Sequence, residues 1–310
     1  MKGGKMRKRP VFFRFIWIML IILTLLLPAA GCTAGGGRKE RAKGTFAEKE
    51  DGGGEKEAAP ETEIQVFIAA SLYSSMSGLA DRYEAEHPEV KVIYNADSSG
   101  TLMTQIKEGY ECDIFFSAAK KQMDELMAEG LIREGTCANV VNNRLVVVAR
   151  KDGGTKVTGL LTLNRAESIA LAGGSVPAGR YTRQALMNLG ILKETEDAAD
   201  ITAREVSEAL GGVQISEQDN VSKVLAAVVE GSCEVGTVYY SDTCGYEDEL
   251  EVLENVGRDL TGQIIYPAAR VVNEEADKAQ DDAADDFLRY ILSDEAKKVF
   301  ASHYFETEIE

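Results

Sequence analysis

Four short segments of the sequence place small or polar residues where a helix is predicted to begin. They are Ala69-Ala70-Ser71, Ser98-Ser99-Gly100-Thr101, Val176-Pro177-Ala178-Gly179 and Asp219-Asn220-Val221. The first turn of a helix has backbone N–H groups without internal partners and carries partial positive charge. Serine hydroxyls add donors, and glycine lets the backbone approach a ligand closely. Such segments are suited to binding an anion without lysine or arginine.

Each segment by itself also has an ordinary structural interpretation. Ser71 could be a helix N-cap, and Ser98–Gly100 could be a turn with a cap. Val176–Gly179 could be a helix start after a proline turn, and Asp219 could cap the helix that follows it. Tyr239 could be a core residue with a satisfied hydroxyl. The prediction of a binding site therefore depends on these features occurring together in one chain.

The elements that must hold these segments alternate between strands and helices. Predicted strands are Ile64–Ile68, Val90–Tyr94, Asp113–Phe116, Arg144–Ala149, Ser168–Leu171, Val235–Tyr240 and Ile264–Val272. Predicted helices follow Ser71 and Ser98 and cover Lys120–Glu129, Ala178–Leu189, Val221–Glu230, Ala276–Leu292 and Asp294–His303. This alternation predicts an α/β fold with a parallel, doubly wound sheet, in which strand-end loops gather at one edge. Because the pattern starts again after residue 149, we predict two lobes.

The N-terminal residues have the composition of an export signal. Residues 1–31 begin with five basic residues, continue with the apolar run Phe15–Leu27 and end in Pro28–Gly31 before Cys32. The run is shorter than the roughly 20 residues of a membrane span, so a cleaved signal peptide is favoured over an uncleaved anchor helix. The segment before Cys32 resembles a bacterial lipobox, although Ala29 stands where that motif more often has Leu. The resemblance implies an acylated Cys32 and a lipid anchor on the extracytoplasmic face of the cell membrane.

Residues 32–62 are predicted to be a flexible tether. They contain Gly35-Gly36-Gly37 and Gly52-Gly53-Gly54, mixed charges and few large apolar side chains. Such a segment buries too little apolar surface to offset the loss of chain entropy. Residues 63–310 remain for the folded part, which is enough for one large domain or two lobes.

Charge and cysteine content exclude several classes of function. The net charge is −17, and removal of residues 1–31, which carry six basic and no acidic residues, makes it −23. Such a surface repels nucleic acid, so no nucleic-acid partner is expected. The remaining Cys112, Cys137, Cys233 and Cys244 form no C-x-x-C pair, which argues against a metal or redox site. An exported chain permits disulfides, but the sequence leaves their pairing open.

Six motifs together resemble the periplasmic molybdate-binding proteins of ABC transporters, in a lipoprotein form. They are Ala69-Ala70-Ser71-Leu72, Ser98-Ser99-Gly100-Thr101-Leu102, Asp113-Ile114-Phe115-Phe116-Ser117-Ala118, Asn143-Arg144-Leu145-Val146-Val147-Val148, Val176-Pro177-Ala178-Gly179-Arg180-Tyr181 and Gly236-Thr237-Val238-Tyr239-Tyr240-Ser241-Asp242. The resemblance extends from about Ile64 to Tyr304, and the Val-Pro-Ala-Gly-x-Tyr block is its most specific part. The chain departs from the family at Ala172-Gly173-Gly174-Ser175, where an acidic or amide residue and a proline are common.

The resemblance implies a type II solute-binding fold and a set of donors. Two doubly wound lobes, residues 63–146 plus 267–310 and residues 147–266, would close over the ligand about a two-stranded hinge. The implied oxyanion-binding residues are Ser71, Ser99, Ala178, Val221 and Tyr239. No direct metal ligand and no cofactor is implied, since molybdenum would be held as an oxyanion. The implied partners are an ABC permease and the anion, and we expect a monomer.

Several other ligands and one other class of protein stay open. Sulfate has the same hydrogen-bonding needs as molybdate or tungstate, while singly protonated phosphate would require a carboxylate acceptor. Tyr239-Tyr240 could bind ferric iron, as in proteins of related fold, but the chain has only His87 and His303 to help. An enzyme with Ser71 or Ser99 as nucleophile is disfavoured, because no histidine base or Gly-x-Ser-x-Gly turn accompanies them. A tethered oxyanion sensor without transport is a further alternative.

Overall fold

Two five-stranded mixed sheets form the framework of the chain in the computed structural model, which describes residues 62–308. The strands are β1 (Thr62–Ala69), β2 (Val90–Asp97), β3 (Ile114–Phe116), β4 (Ala138–Asn143), β5 (Leu145–Arg150), β6 (Ser168–Ala172), β7 (Gln214–Gln218), β8 (Val235–Tyr239), β9 (Leu250–Asn255) and β10 (Ile264–Arg270). The helices are α1 (Tyr73–Glu86), α2 (Ser99–Lys107), α3 (Lys120–Ala128), α4 (Pro177–Asn188), α5 (Ala203–Ala209), α6 (Val221–Val229), α7 (Arg258–Thr261), α8 (Lys278–Ile291) and α9 (Asp294–Ser302). The predicted signal peptide and nearly all of the predicted tether lie outside the described residues.

Each sheet is the centre of one lobe. The first lobe contains the sheet of order β2-β1-β3-β10-β4, and the second lobe contains the sheet of order β7-β6-β8-β5-β9. In the first sheet β1 pairs in parallel with β2 and β3, and in the second β6 pairs in parallel with β7 and β8. The predicted α/β fold of two lobes is therefore confirmed.

One strand in each sheet is antiparallel to the other four, whereas the sequence predicted a parallel sheet. β10 is antiparallel to β3 and β4, and β5 is antiparallel to β8 and β9. Each of these two strands is the first that the chain forms after it crosses from the other lobe. The remaining strands end at the edge that faces the cleft between the lobes, whereas β5 and β10 start there. They therefore run in the opposite direction.

The chain crosses between the lobes twice. It leaves the first sheet at Asn143, passes through Arg144 and starts β5 at Leu145. It returns through residues 256–263, between β9 and β10. Both crossings lie slightly earlier in the chain than the predicted lobe boundaries.

Burial explains which strands the sequence pattern revealed. Leu145–Ala149 of β5 are all fully buried, as expected for a strand covered on both faces. The edge strand β7, Gln-Ile-Ser-Glu-Gln, has no fully buried residue, and it was missed from the sequence together with β4 and β9. None of the helices within residues 62–308 combines the length and apolar character needed to cross a membrane.

Candidate functional site

A small cavity lies in the cleft, where the loops of both lobes meet. It is lined by Ala69, Ala70, Ser71, Asp97, Ser98, Ser99, Ala118, Val176, Pro177, Ala178, Val221 and Tyr239. All five residues proposed from the sequence as oxyanion ligands are among them. The centre of a water-sized sphere placed in the cavity can move through a volume of about 10 Å³. In this conformation the cavity is about large enough for one water-sized group.

Ser71 is held by a tyrosine and does not cap a helix. It lies within the short 3-10 helix Ala70–Leu72, between β1 and α1. Its Oγ is 2.9 Å from Oη of Tyr266, a fully buried residue of β10. The N-cap interpretation of Ser71 is therefore wrong, and the hydroxyl is held at the cavity by a contact from the strand that returns from the second lobe.

The two adjacent serines at the start of α2 have different roles. Ser98 is the N-cap, and its Oγ accepts a hydrogen bond from Thr101 N at 3.1 Å. Ser99 is the first helical residue and is fully buried, and its Oγ accepts from Ala118 N at 2.9 Å. Because Ser98 satisfies the capping requirement, the Ser99 proton stays available for a ligand.

In the second lobe the start of α4 approaches the preceding strand very closely. Val176 is the N-cap without a side-chain cap, Pro177 is the first helical residue, and Ala178 is fully buried. A Cβ added at Gly179 would lie 2.2 Å from the carbonyl oxygen of Ala172. Glycine is therefore required here, and it lets the helix present its first-turn N–H groups at the cavity.

The departure from the family at residues 172–175 also has a steric reason. A Cβ at Gly174 would lie 2.0 Å from the carbonyl oxygen of Ala199, in the 3-10 helix Ala198–Asp200. The glycines thus accommodate this neighbouring segment beside the cavity.

Val221 is the first residue of α6, and its cap is not the residue that the sequence suggested. Asn220 is the N-cap, with its Oδ1 accepting from Lys223 N at 3.0 Å. The Asp219 side chain is 82% exposed and pairs with Lys223 Nζ at 2.7 Å. The interpretation of Asp219 as the cap is wrong, because the amide one residue later occupies that position.

Tyr239 contributes a buried hydroxyl without a partner. It ends β8 and is 1% exposed, and its Oη has no hydrogen-bond partner within residues 62–308. The ring packs edge-to-face on Tyr266, with 5.7 Å between centroids. Burial raises the pKa of the Tyr239 phenol well above its ordinary value, so the phenol keeps its proton. An unpartnered buried donor is costly, and a ligand in the cavity would satisfy it.

The adjacent Tyr240 is not among the residues that line the cavity, and its ring contacts other groups. Its ring stacks on Tyr304 at 5.1 Å, and Arg144 lies over the other side at 4.5 Å. Within residues 62–308 no three His, Cys, Asp or Glu side chains are grouped to hold a metal. The cysteines Cys112, Cys137, Cys233 and Cys244 are free thiols.

The electrostatic character of the cavity is set by neutral donors and one carboxylate. None of the described residues that line it is Lys, Arg or His. The half-buried Asp97 belongs to the lining, and its Oδ1 accepts hydrogen bonds from Ser98 N at 2.7 Å and Asn220 Nδ2 at 3.1 Å. The second of these bonds joins the two lobes.

An ion-pair group also bridges the lobes near the cavity. Asp197 of the second lobe contacts Lys121 of α3 in the first lobe and Arg180 Nε of α4 at 2.9 Å. The three side chains are partly exposed, which limits their contribution to closure.

Comparison with known proteins agrees with this architecture. The family model for bacterial extracellular solute-binding proteins matches residues 64–306. A protein of Bacillus subtilis strain 168, YvgL, described provisionally as an ABC transporter substrate-binding lipoprotein, is 28% identical over 96% of this chain and 100% of its own length. The molybdate-binding protein ModA of Escherichia coli K12 is 31% identical, covering 80% of this chain and 90% of its own.

A solved structure shows the same arrangement. The substrate-binding domain described, also provisionally, as that of a molybdenum ABC transporter from Clostridium difficile superimposes with a TM-score of 0.57 and 30% identity. The match covers 80% of this chain and 99% of that domain. The chain belongs to the bacterial extracellular solute-binding proteins, and it is a substrate-binding protein of an ABC transporter and not an enzyme.

Proposed function

We propose that the chain binds a fully deprotonated tetrahedral oxyanion, molybdate or tungstate, in this cavity. Ser71 and Ser99 would donate hydroxyl and backbone N–H bonds from the first lobe. Ala178 and Val221 would donate first-turn N–H groups, and Tyr239 its hydroxyl, from the second lobe. Such a ligand can only accept hydrogen bonds, so it fits a lining of neutral donors.

One observation carries the proposal. The Tyr239 hydroxyl is buried at the cavity without an acceptor in the described part of the chain, although buried polar groups in folded proteins nearly always have partners. An anion there would accept from Tyr239 and from the helix N-termini of both lobes at once. Because its bonds would span the cleft, the ion would stabilise the closed arrangement of the lobes.

Phosphate is the competing ligand, and Asp97 is the observation that favours it. A singly protonated phosphate would donate its proton to a carboxylate, and Asp97 is the acidic residue in the described lining. The Oδ1 atom of Asp97 already receives two N–H bonds, which leaves only its second oxygen for such a contact. The names of the relatives also favour molybdenum, since the Escherichia coli relative is a molybdate-binding protein.

Calorimetric titration of the full chain in detergent with molybdate, tungstate, sulfate and phosphate tests the ligand. We expect tight binding of molybdate and tungstate and much weaker binding of sulfate, which has the same acceptors in a smaller ion. A preference for phosphate would contradict the proposal. A titration with ferric iron that produced a visible tyrosinate band would support the iron alternative instead.

We further propose that the protein delivers this anion, as ligand and not cofactor, to its ABC permease as a monomer, since one chain supplies both halves of the site. Cys32 would anchor it by acylation to the outer face of the cell membrane, with residues 33–62 as a tether. A Cys32→Ser variant should then leave the membrane fraction, whereas a Cys137→Ser variant should stay in it. Equal membrane retention of both variants would contradict the anchor.

A further inference from the structure

We propose that Tyr266 is a positioning residue that fixes the direction in which the Ser71 hydroxyl donates its proton. This inference rests on the oxyanion site proposed above. Tyr266 does not line the cavity, and it would act on the anion only through Ser71. A series of hydrogen bonds supports it, which begins at Asn143, beside the first crossing between the lobes.

The orientation of the Asn143 amide is fixed by its neighbours. Its Oδ1 receives the backbone N–H of Arg144 at 2.9 Å and that of Ser241 at 3.4 Å. Backbone N–H groups only donate, so the atom that faces them must be the amide oxygen. The Nδ2 group therefore points to the other side, where it donates to Ser241 Oγ at 2.8 Å and to Tyr266 Oη at 3.2 Å.

This fixed amide determines the direction of the next bond. Tyr266 Oη receives an N–H from Asn143, so it cannot donate back to that atom. Burial, with a smaller effect of the Asp242 charge, raises the pKa of the Tyr266 phenol well above its ordinary value. The phenol is therefore neutral and has one proton to place. Among the described hydroxyls near it, Ser71 Oγ lies at hydrogen-bond distance, 2.9 Å away, whereas the Tyr239 hydroxyl has no partner at such a distance.

Ser71 is in turn left with a proton that points away from Tyr266. If Ser71 donated to Tyr266 instead, the buried phenol proton would have no acceptor at hydrogen-bond distance among the described residues, which is costly. With Tyr266 as the donor, the Ser71 proton is free for the cavity that this residue lines. Hydrogen bonds that follow one another in the same donor-to-acceptor direction also polarise each other. The series from Asn143 through Tyr266 therefore makes Ser71 a stronger donor to an anion.

The series of hydrogen bonds also connects the site to the two crossings between the lobes. Asn143 is the last residue of β4, immediately before the crossing at Arg144, and Ser241 follows β8 in the second lobe. Tyr266 lies in β10, just after the return crossing. The Asn143 amide therefore contacts residues beside both crossings and fixes the orientation of the Ser71 hydroxyl that faces the ligand.

A double-mutant cycle in the full chain tests the inference, with molybdate affinity as the readout. Tyr266→Phe keeps the ring that packs on Tyr239 and removes only the hydroxyl. We expect about fivefold weaker binding, which equals roughly 1 kcal/mol, the usual net contribution of one hydrogen bond. In a Ser71→Ala background the same change should alter affinity by less than about twofold, because its route to the ligand is gone.

Two tyrosine variants away from the cavity serve as controls. Tyr94→Phe removes a hydrogen bond to the Met76 carbonyl oxygen, and Tyr290→Phe removes a buried hydroxyl that has no partner among the residues that the structure describes. Neither should change molybdate affinity, although Tyr94→Phe should lower the melting temperature. Should Tyr266→Phe fail to fold, Asn143→Ala, compared in the same two backgrounds, interrupts the chain at its other end.

The outcomes separate this inference from the proposed function. A fivefold loss from Tyr266→Phe in both backgrounds, or no loss in either, would overturn the positioning role while molybdate binding stood. If the wild-type chain bound none of the four oxyanions, the proposed function would fail and the inference with it. Loss in the wild-type background alone supports both.

Discussion

Asn220 of the second lobe donates a hydrogen bond from Nδ2 to Asp97 Oδ1 of the first lobe, at 3.1 Å and beside the cavity. The same asparagine caps α6 through its Oδ1. One side chain therefore starts the helix that presents Val221 and joins that helix to the opposite lobe. Closure of the cleft and formation of this half of the site depend on the same residue.

Replacing Asn220 by Asp should oppose closure without harming the helix. Aspartate caps a helix as well as asparagine does, but it would place a second carboxylate against Asp97. We expect weaker oxyanion binding by about 1–3 kcal/mol, measured by calorimetry. The loss should shrink at high salt, because repulsion between partly exposed charges is screened.

Two further variants serve as controls for this effect. Asn220→Ser keeps a good cap and adds no charge, so its loss of affinity should be smaller and independent of salt. Combining Asn220→Asp with Asp97→Asn removes the like-charge pair and should restore part of the affinity. If the double variant bound no better than Asn220→Asp alone, contact between these side chains would not govern closure.

Gly100 should be intolerant of even a methyl group. A Cβ on this first-lobe residue would lie 2.6 Å from the carbonyl oxygen of Ser175 in the second lobe. Gly100→Ala would hold the lobes apart, so we expect affinity to fall by about tenfold or more, from overpacking. Small-angle scattering should show a more open molecule in the presence of molybdate.

A second helical glycine is the matched control for Gly100. A Cβ at Gly78, within α1, would meet no atom within 4 Å. Gly78→Ala should leave affinity unchanged and raise the free energy of unfolding by about 0.5–1 kcal/mol, because alanine is favoured over glycine within helices. Equal affinities for the two variants would contradict the steric explanation.

Removing the Tyr239 hydroxyl should separate stability from binding. Because its Oη is buried and none of residues 62–308 is its hydrogen-bond partner, Tyr239→Phe should raise the free energy of unfolding of the ligand-free protein by about 1 kcal/mol. The same change should weaken oxyanion binding by about 1–3 kcal/mol, since the anion loses a donor. Thermal unfolding and calorimetry measure the two effects.

Ser99→Ala should weaken binding by a similar amount but with the opposite effect on stability. The Ser99 hydroxyl accepts the buried N–H of Ala118, so its removal leaves that donor unpaired and costs about 1–3 kcal/mol. Silence of both variants in calorimetry would show that the site is assigned to the wrong residues.

Asp242 should give the protein a pH dependence near neutrality. Burial raises the pKa of its carboxyl from 3.8 to about 7, against a smaller opposing effect of the Tyr239 N–H, which donates to Oδ2 at 2.8 Å. Between these two pKa values the folded state binds the proton that the unfolded state has lost. The contribution of Asp242 to stability therefore falls as pH rises from about 4 to about 7, and it is constant above that.

The same titration should affect the ligand. The Asp242 carboxylate accepts a hydrogen bond from the backbone N–H of Tyr239. Its protonation therefore removes a negative charge near the anion. We expect molybdate to bind about two- to fivefold more tightly at pH 6 than at pH 8, and Asp242→Asn to remove this difference. An unchanged pH dependence in Asp242→Asn would assign it to another group.

The sequence by itself indicated the strand–helix alternation and the two lobes, and its resemblance to a known family implied five of the twelve residues that line the cavity. The alternation and the lobes follow from local pattern, because apolar strands such as Leu145–Ala149 and small polar residues at helix starts have recognisable chemistry. It did not reveal edge strand β7, because a strand exposed at the edge has too little buried surface to show a pattern.

Tertiary structure alone decided which polar groups meet. Asn220, and not Asp219, caps α6, because a difference of one residue in a helix start is settled by packing against Asp97. Tyr266 and Asn143 are 123 residues apart, so no local pattern could connect them to Ser71. The antiparallel β5 and β10 likewise follow from where the chain crosses between the lobes. Sequence spacing reports local conformation, whereas hydrogen bonds between distant segments exist only once both lobes have folded around the cleft.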